Sequence, residues 1–468
     1  MIKRIVRNFT ALFAGEVVAR ICHFAAVIYL ARVLGAEGFG AINFALAVVA
    51  YFLMVANMGL GELGIREVAR KRDVKEMAGA VISMRLSLAA AAFLGLVLLS
   101  LFLKKAPQTV YLVIAYGLTI FPYAVSFEWV FIGTEQMKYN AYGRILNAAL
   151  YVSAVFLFVR SPADALKVAF IAIAADAVTS LFYYMNYRRK FGDSLRLRFE
   201  PAAWLPLARV SSQLFISSAM IIIYLNFGTV ALGFFRDERT VGIFAAAAKL
   251  VTFFFALSTV IVTAVFPIIS SLYHESRERL DRFLSYCAKL TLMLGIPVGV
   301  GATIIGPRII GLVYGPSYAE AGPLFRIMGW FAAINLTSYV ISYSLVACDR
   351  QADYLKILVS AAVLNIVLNL AGTPFFGYYA PSVALVLTEA MIFIWSVFAL
   401  ERVAPISFFR LSVKPLIASL VMAGFLFIPL KVNVLVTVVM AAVAYFAVLF
   451  GIGGFDKKEM ELVKGAFA

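Results

Sequence analysis

The feature that most constrains this chain is a succession of long apolar runs that fill most of its 468 residues. They fall at 9–31, 39–61, 77–103, 109–132, 141–160, 164–187, 206–234, 241–270, 284–305, 322–347, 354–373, 378–400, 411–430 and 433–452. About 20 apolar residues in a helix cross the hydrocarbon core of a bilayer. In hydrocarbon each backbone N–H and C=O must be satisfied within the chain, so continuous runs read as helices, whereas barrel strands would alternate. The sequence therefore predicts an all-α polytopic membrane protein of about fourteen transmembrane helices. With 63% hydrophobic and 14% charged residues, it lacks the polar surface of a soluble protein. The opening Met1 to Asn8 carries Lys3, Arg4 and Arg7 and leads into an apolar run too long for a signal-peptide core, which reads as a retained first span. Cys22, Cys287 and Cys348 have no paired spacing, so neither a disulfide framework nor a zinc site is expected.

The loops between the runs differ in charge. Of 41 Lys and Arg residues, 27 fall at the termini and on alternate connections, and nine on the remaining connections. Such a bias orients membrane proteins with the basic loops inside, which places both termini in the cytoplasm and requires an even number of spans. The net charge of +16 is then mostly loop charge beside anionic lipid head groups, and nucleic acid is not an expected partner.

Two segments about two hundred residues apart match. Phe39-Gly40-Ala41-Ile42 leads into an Ala-rich helix, as Val241-Gly242-Ile243-Phe244 does. Gly133-Thr134-Glu135 with Tyr139 ends the fourth run as Ala347-Cys348-Asp349 with Tyr354 ends the tenth, and Asp176 and Glu389 stand at a similar offset. The expected organisation is one lobe at 1–200 (spans one to six), its copy at 201–402 (spans seven to twelve) and an appended part at 403–468 (spans thirteen and fourteen with a tail). Repeats with an even number of spans share one orientation and are related about the membrane normal, with a central cavity between them.

With the cations near run ends, Arg144 among them, counted with the connections, five lie within spans. Arg209 and Arg326 sit near helix starts and can snorkel. Arg20, Arg85 and Lys249 lie deeper, where a charge costs about 2.5–3.5 kcal/mol on insertion scales, and such residues normally face a bundle interior or water. Arg and Lys together suit a phosphate or pyrophosphate, Arg as a bidentate fork and Lys as a point charge. Glu16, Arg20 and His23 share one face of the first helix, so internal neutralisation of Arg20 by Glu16 is the bland alternative. Glu16, His23, Asp176 and Glu389 are the candidates for coupling-ion ligands or lumen charges, with Na+ or H+ as the ion. No phosphate-binding loop, dinucleotide fingerprint, metal-ligand spacing or nucleophile elbow occurs, so no resident cofactor or metal and no ATP-driven or catalytic role is expected.

The run Ala31-Arg32-Val33-Leu34-Gly35-Ala36-Glu37-Gly38-Phe39-Gly40, with Gly59-Leu60 and Arg66-Glu67-Val68-Ala69-Arg70 further on, resembles the opening of the polysaccharide (oligosaccharide-lipid) flippases of the MOP transporter superfamily. Glu128 to Glu135, Val241 to Leu250 and Tyr314 to Ala321 are similar to that family as well. The resemblance implies a MOP/MATE-like fold of two six-helix lobes plus two C-terminal helices in the inner, cytoplasmic membrane. It implies a flippase that moves a polyprenyl-pyrophosphate-linked oligosaccharide to the outer leaflet by alternating access, with membrane lipids and glycan-assembly enzymes as further partners. The family's basic lumen maps onto Arg20, Arg85 and Lys249. Two alternatives stay open: a cation-coupled exporter of organic cations from the same superfamily, and a membrane-embedded glycan ligase or polymerase.

Overall fold

The computed structural model describes residues 2–70, 73–192, 195, 197, 199, 201–428 and 432–455, without the side chains of 2–18, 201–203, 213 and 214. The described residues form helices and no strands. In chain order they are α1 (Ile2–Asn57), α2 (Leu60–Ala69), α3 (Val74–Leu101), α4 (Pro107–Gly117), α5 (Ile120–Ala124), α6 (Glu128–Gly133), α7 (Met137–Phe158) and α8 (Ala165–Phe191). There follow α9 (Pro201–Phe235), α10 (Glu238–Glu275), α11 (Arg277–Tyr314), α12 (Ala321–Ala347), α13 (Gln351–Phe376), α14 (Tyr379–Glu401), α15 (Phe408–Leu426) and α16 (Val434–Gly451).

Thirteen helical stretches among the described residues are long and apolar enough to cross a membrane, and the first runs 39 residues from Ala19 to Asn57. At 1.5 Å per residue it would measure about 58 Å if straight, roughly twice the hydrocarbon thickness. It is not straight. Gly35 (φ 68°, ψ 177°) leaves helical geometry in a region that glycine alone enters freely, so α1 carries two of the expected spans and the expected fourteen are met. The chain is a multi-pass membrane protein.

Two expected spans need correction. The second, expected over 39–61, stops at Asn57, because Met58 and Gly59 take positive φ and start the separate amphipathic helix α2. The fourth, expected as one helix over 109–132, is three short helices, α4, α5 and α6. Pro122 has no N–H to give the ladder, and its own carbonyl accepts instead from the Ser180 hydroxyl of α8 at 2.7 Å. Broken backbone at membrane depth is tolerated where protein buries it or where it lines a cavity.

The repeated helix ends match in detail. Glu135 (φ 56°) and Asp349 (φ 58°) are both left-handed. Each is followed by a closing bond back to a residue five earlier, Gln136 N–H to Phe131 C=O and Arg350 N–H to Leu345 C=O, both 2.7 Å. This is the Schellman arrangement, built twice from unlike side chains.

The chain divides into two compact units, Met1–Gly242 and Ile243–Ala468, so the division falls inside α10. In the first, α1 packs on α3, α4, α7 and α9, and α2 lies on α6 with the Trp129 ring against Gly64. Its inner cluster joins Leu60, Leu63, Ile82, Phe131 and Tyr187. In the second, α11 and α12 pack closely at Gly295, Gly299 and Gly329, since small residues let membrane helices approach. Here α15 and α16 lie on α11, where the Tyr445 hydroxyl donates to the Met293 carbonyl at 2.7 Å.

Candidate functional site

A cavity of about 340 Å³ opens within the first unit, lined by α1, the broken fourth span, α7 and α8. The interrupted fourth span supplies Tyr123, Ser126 and Glu128 to its wall; in a regular helix Tyr123 and Ser126 would share a face and Glu128 would lie apart from them. Arg20 and His23 come from α1 one turn apart, as their spacing predicts. The α7 face gives Arg144 and Asn147, and the α8 face gives Asp176 and Thr179, each an i, i+3 pair.

These groups are bound to one another. Arg144 donates from Nη2 and Nε to Glu128 Oε1 at 3.0 and 3.2 Å, an ion pair in which both side chains remain part-exposed. Asn147 Nδ2 donates to Asp176 Oδ1 at 2.9 Å and lies 3.3 Å from Thr179 Oγ1, whose own proton goes to the Ala175 carbonyl at 2.7 Å. The His23 ring lies 5.3 Å from that of Tyr151. Two cations, Arg20 and Arg144, thus share the cavity with two acids, Glu128 and Asp176. The wall is polar and nearly charge-balanced rather than uniformly basic.

Of the expected residues, the structure brings together Arg20, His23 and Asp176. Arg85 is placed differently. It is 4% exposed in α3, donates from Nη2 to Asn57 Oδ1, and stands over the Tyr123 ring at 5.5 Å from its centre. Its Nε has no hydrogen-bond partner, and no carboxylate lies at ion-pair distance among the described residues. Asn57 in turn donates to Glu62 Oε2 at 3.3 Å, and both line a second cavity of about 270 Å³ with Ser218. Tyr123 lines both cavities, so Arg85 acts on the wall between them from behind.

Lys249 and Glu389 belong to the second unit. Lys249 is half-buried in α10, with no ion-pair partner among the described residues. Glu389 is 1% exposed, its Oε1 accepts from Asn335 Nδ2 at 3.2 Å, and Asn335 Oδ1 accepts from Ser258 at 2.9 Å. Glu389 Oε2 has no partner among the described residues. The side chain of Glu16 lies outside the described residues.

Sequence reasoning left out Tyr123, Arg144 and Asn147. Arg144 was counted with the topogenic loop charge, although it lies a full two turns inside α7. The signal available was the pairing of Arg144 with Asn147 and of Asp176 with Thr179 at helical spacing on consecutive spans.

Residues 5–273, more than half of the chain, match the family described as Polysaccharide biosynthesis protein, and residues 214–371 match MatE. A Shigella dysenteriae protein named "Putative O-antigen transporter" is 21% identical over 84% of this chain and all of its own length. The Haloferax volcanii "Probable low-salt glycan biosynthesis flippase Agl15" is 23% identical over 90% of this chain and 89% of that one. Among solved structures, the lipid II flippase MurJ in an inward closed conformation superposes with a TM-score of 0.76 over 94% of this chain and 98% of that one, at 13% identity, a likeness of fold. By the extent of the family match, and in keeping with the motifs its sequence carries, the chain belongs to the polysaccharide biosynthesis protein family of the MOP superfamily.

Proposed function

We propose that this protein is a flippase that carries a polyprenyl-(pyro)phosphate-linked oligosaccharide from the cytoplasmic to the outer leaflet of the cell membrane by alternating access, with both termini in the cytoplasm. The family match and the names of the relatives support a transporter of lipid-linked glycan. The observation that carries the reading to a phosphate is Arg85, a buried cation with no carboxylate at ion-pair distance among the described residues, on which Glu62 and Glu128 act only from further away. A charge kept out of water without a partner costs several kcal/mol, and a protein retains it where a ligand completes the pair.

In this reading Arg20 receives the anionic head group at the cavity and Arg85 holds its positive potential behind Tyr123, while Lys249 is the deep cation of the second unit's own α10. The glycan meets hydrogen-bonding groups such as Asn147 and Thr179, while the prenyl tail stays in lipid. The protein lowers only the barrier for the polar part and makes or breaks no covalent bond. Asp176 and Glu389 are the positions at which a coupling Na+ or H+ would be held, Asp176 through its link to Asn147 and Glu389 through its unpartnered Oε2.

A second reading has its own support. Glu128 and Asp176 give the first cavity two acids, which suits an organic cation and an exporter. The two readings separate on one experiment. Protein reconstituted in vesicles is offered a fluorescent polyprenyl-pyrophosphate oligosaccharide or a lipophilic cation. Alanine at Arg20, Arg85 and Lys249 together should abolish transfer of the glycan lipid while membrane insertion persists. If the triple variant still transfers it, the cationic mechanism is wrong; if the native protein moves only the cation, the exporter reading replaces it.

A further inference from the structure

We propose that the corner between α9 and α10 is a latch that closes one mouth of the first unit against α1, with Gly40 and Gly242 as its seat and Lys105 and Glu238 as its bolt. The proposal rests on the alternating-access reading above and names the contact that must part for the closed mouth to open. All of its residues lie in the first unit.

The seat is a backbone-to-backbone contact. A Cβ on Gly40 would overlap the Glu238 carbonyl, and one on Gly242 would overlap the Ala36 carbonyl. No side chain fits at either position. These are the matching glycines of the two repeated motifs, each passing the other's chain. Nearby, Gly233 leaves room for the Phe44 ring, which meets Phe234 edge-on at 6.0 Å.

The bolt crosses the seat. Lys105 Nζ donates to the Arg236 carbonyl at 2.8 Å, stands 3.5 Å from Glu238 Oε1 and lies over the Phe44 ring at 5.7 Å. The Thr109 hydroxyl donates to the same Glu238 oxygen at 3.1 Å. The two charged side chains are only 11% and 16% exposed. Such a pair is specific in register, and with so little exposure the loss of either partner leaves the other charge uncompensated.

The latch and the cavity sit at opposite ends of the spans. Lys105 and Thr109 stand at the start of the fourth crossing, and Arg236 to Gly242 stand where α9 turns into α10. Cavity residues Glu128 and Arg144 flank the turn between Gly133 and Met137, a whole crossing away. By the loop charges the latched end is the outer one. The geometry is therefore that of a unit shut on one side with its polar cavity toward the other.

The test uses the full chain in vesicles, with Cys22, Cys287 and Cys348 replaced by Ala and one reporter, Ala45→Cys, placed in α1 where the native side chain is 0% exposed. A membrane-impermeant maleimide added outside should react slowly with this protein. Adding Lys105→Met, which leaves Glu238 without its cation, should raise the labelling rate at least about five-fold. Gly40→Leu should raise it further, and equal rates in all three proteins would overturn the latch whether or not transport is seen. A bifunctional methanethiosulfonate, joined through disulfides to Lys105→Cys and Glu238→Cys with release of sulfinate, is then tested for its effect on transfer of the glycan lipid. Loss of transfer, restored by reductant, supports the latch; transfer that continues through the cross-link overturns it. Absence of transfer in the native protein would sink the flippase reading and leave the labelling result to decide the latch.

Discussion

Replacing Arg85 by Met should separate what this side chain does for the fold from what it does for transport. Met is unbranched and follows the path of the arginine methylenes, so it fills the site without a large void. Three local terms decide the stability. The hydrogen bond from Nη2 to Asn57 is lost, which costs about 1.5–3 kcal/mol for a charged donor. The contact with the Tyr123 ring is lost, at most about 2 kcal/mol for a desolvated cation over an aromatic face. Against these stands the removal of a cation held at 4% exposure with an unpartnered Nε, a penalty of several kcal/mol in a real protein interior. The sum lies near zero, so thermal unfolding in detergent or nanodiscs should shift little, by no more than about 1 kcal/mol of lost stability. Transfer of the glycan lipid should nevertheless fall to background, and Arg85→Lys should recover part of it because the charge returns without the fork. Breaking a paired buried ion costs about 3–5 kcal/mol, so a loss of that size would show that Arg85 is a structural strut with a partner, and retained transport would show that its charge is not used.

Two further outcomes follow from the same geometry. If Asp176 and Glu389 hold a coupling ion, Asp176→Asn and Glu389→Gln should each make transport in vesicles insensitive to an imposed Na+ or pH gradient while binding of the glycan lipid persists, and a native protein already indifferent to both gradients would remove the coupling role. In Gly64→Ala a new Cβ would run into the Trp129 ring, so overpacking should cost about 1–3 kcal/mol and change the near-ultraviolet dichroism and emission of that indole; unchanged spectra and stability would contradict the packing.

Much of the fold was legible because hydrocarbon imposes one rule on every segment, and run length reports it directly. The same rule hid the broken fourth span. Hydropathy averages Pro122 and Tyr123 into the apolar run around them, yet it carries no information on where the Pro122 carbonyl finds its donor, which is a residue of another helix. The repeat was legible through Glu135 and Asp349, since a helix end in left-handed geometry leaves a local mark in sequence. At the site, Arg20 and His23 were found by depth and spacing, whereas Arg144 looked like ordinary loop charge because its partner Glu128 belongs to a different span. Depth alone also grouped Arg85 with Arg20, although one lines the cavity and the other stands behind its wall.

The interrupted fourth span also constrains how the protein is made. A nascent helix normally enters the bilayer with its backbone already paired, but this one leaves the Pro122 carbonyl waiting for Ser180, which lies 58 residues further along the chain. Until α8 has been synthesised and docked, the fourth crossing remains incomplete in the lipid, and α4, α5 and α6 must stay sheltered at the insertion machinery or against the helices already delivered. The polar cavity is thus completed only when the sixth crossing arrives and closes it, before α9 packs on α1.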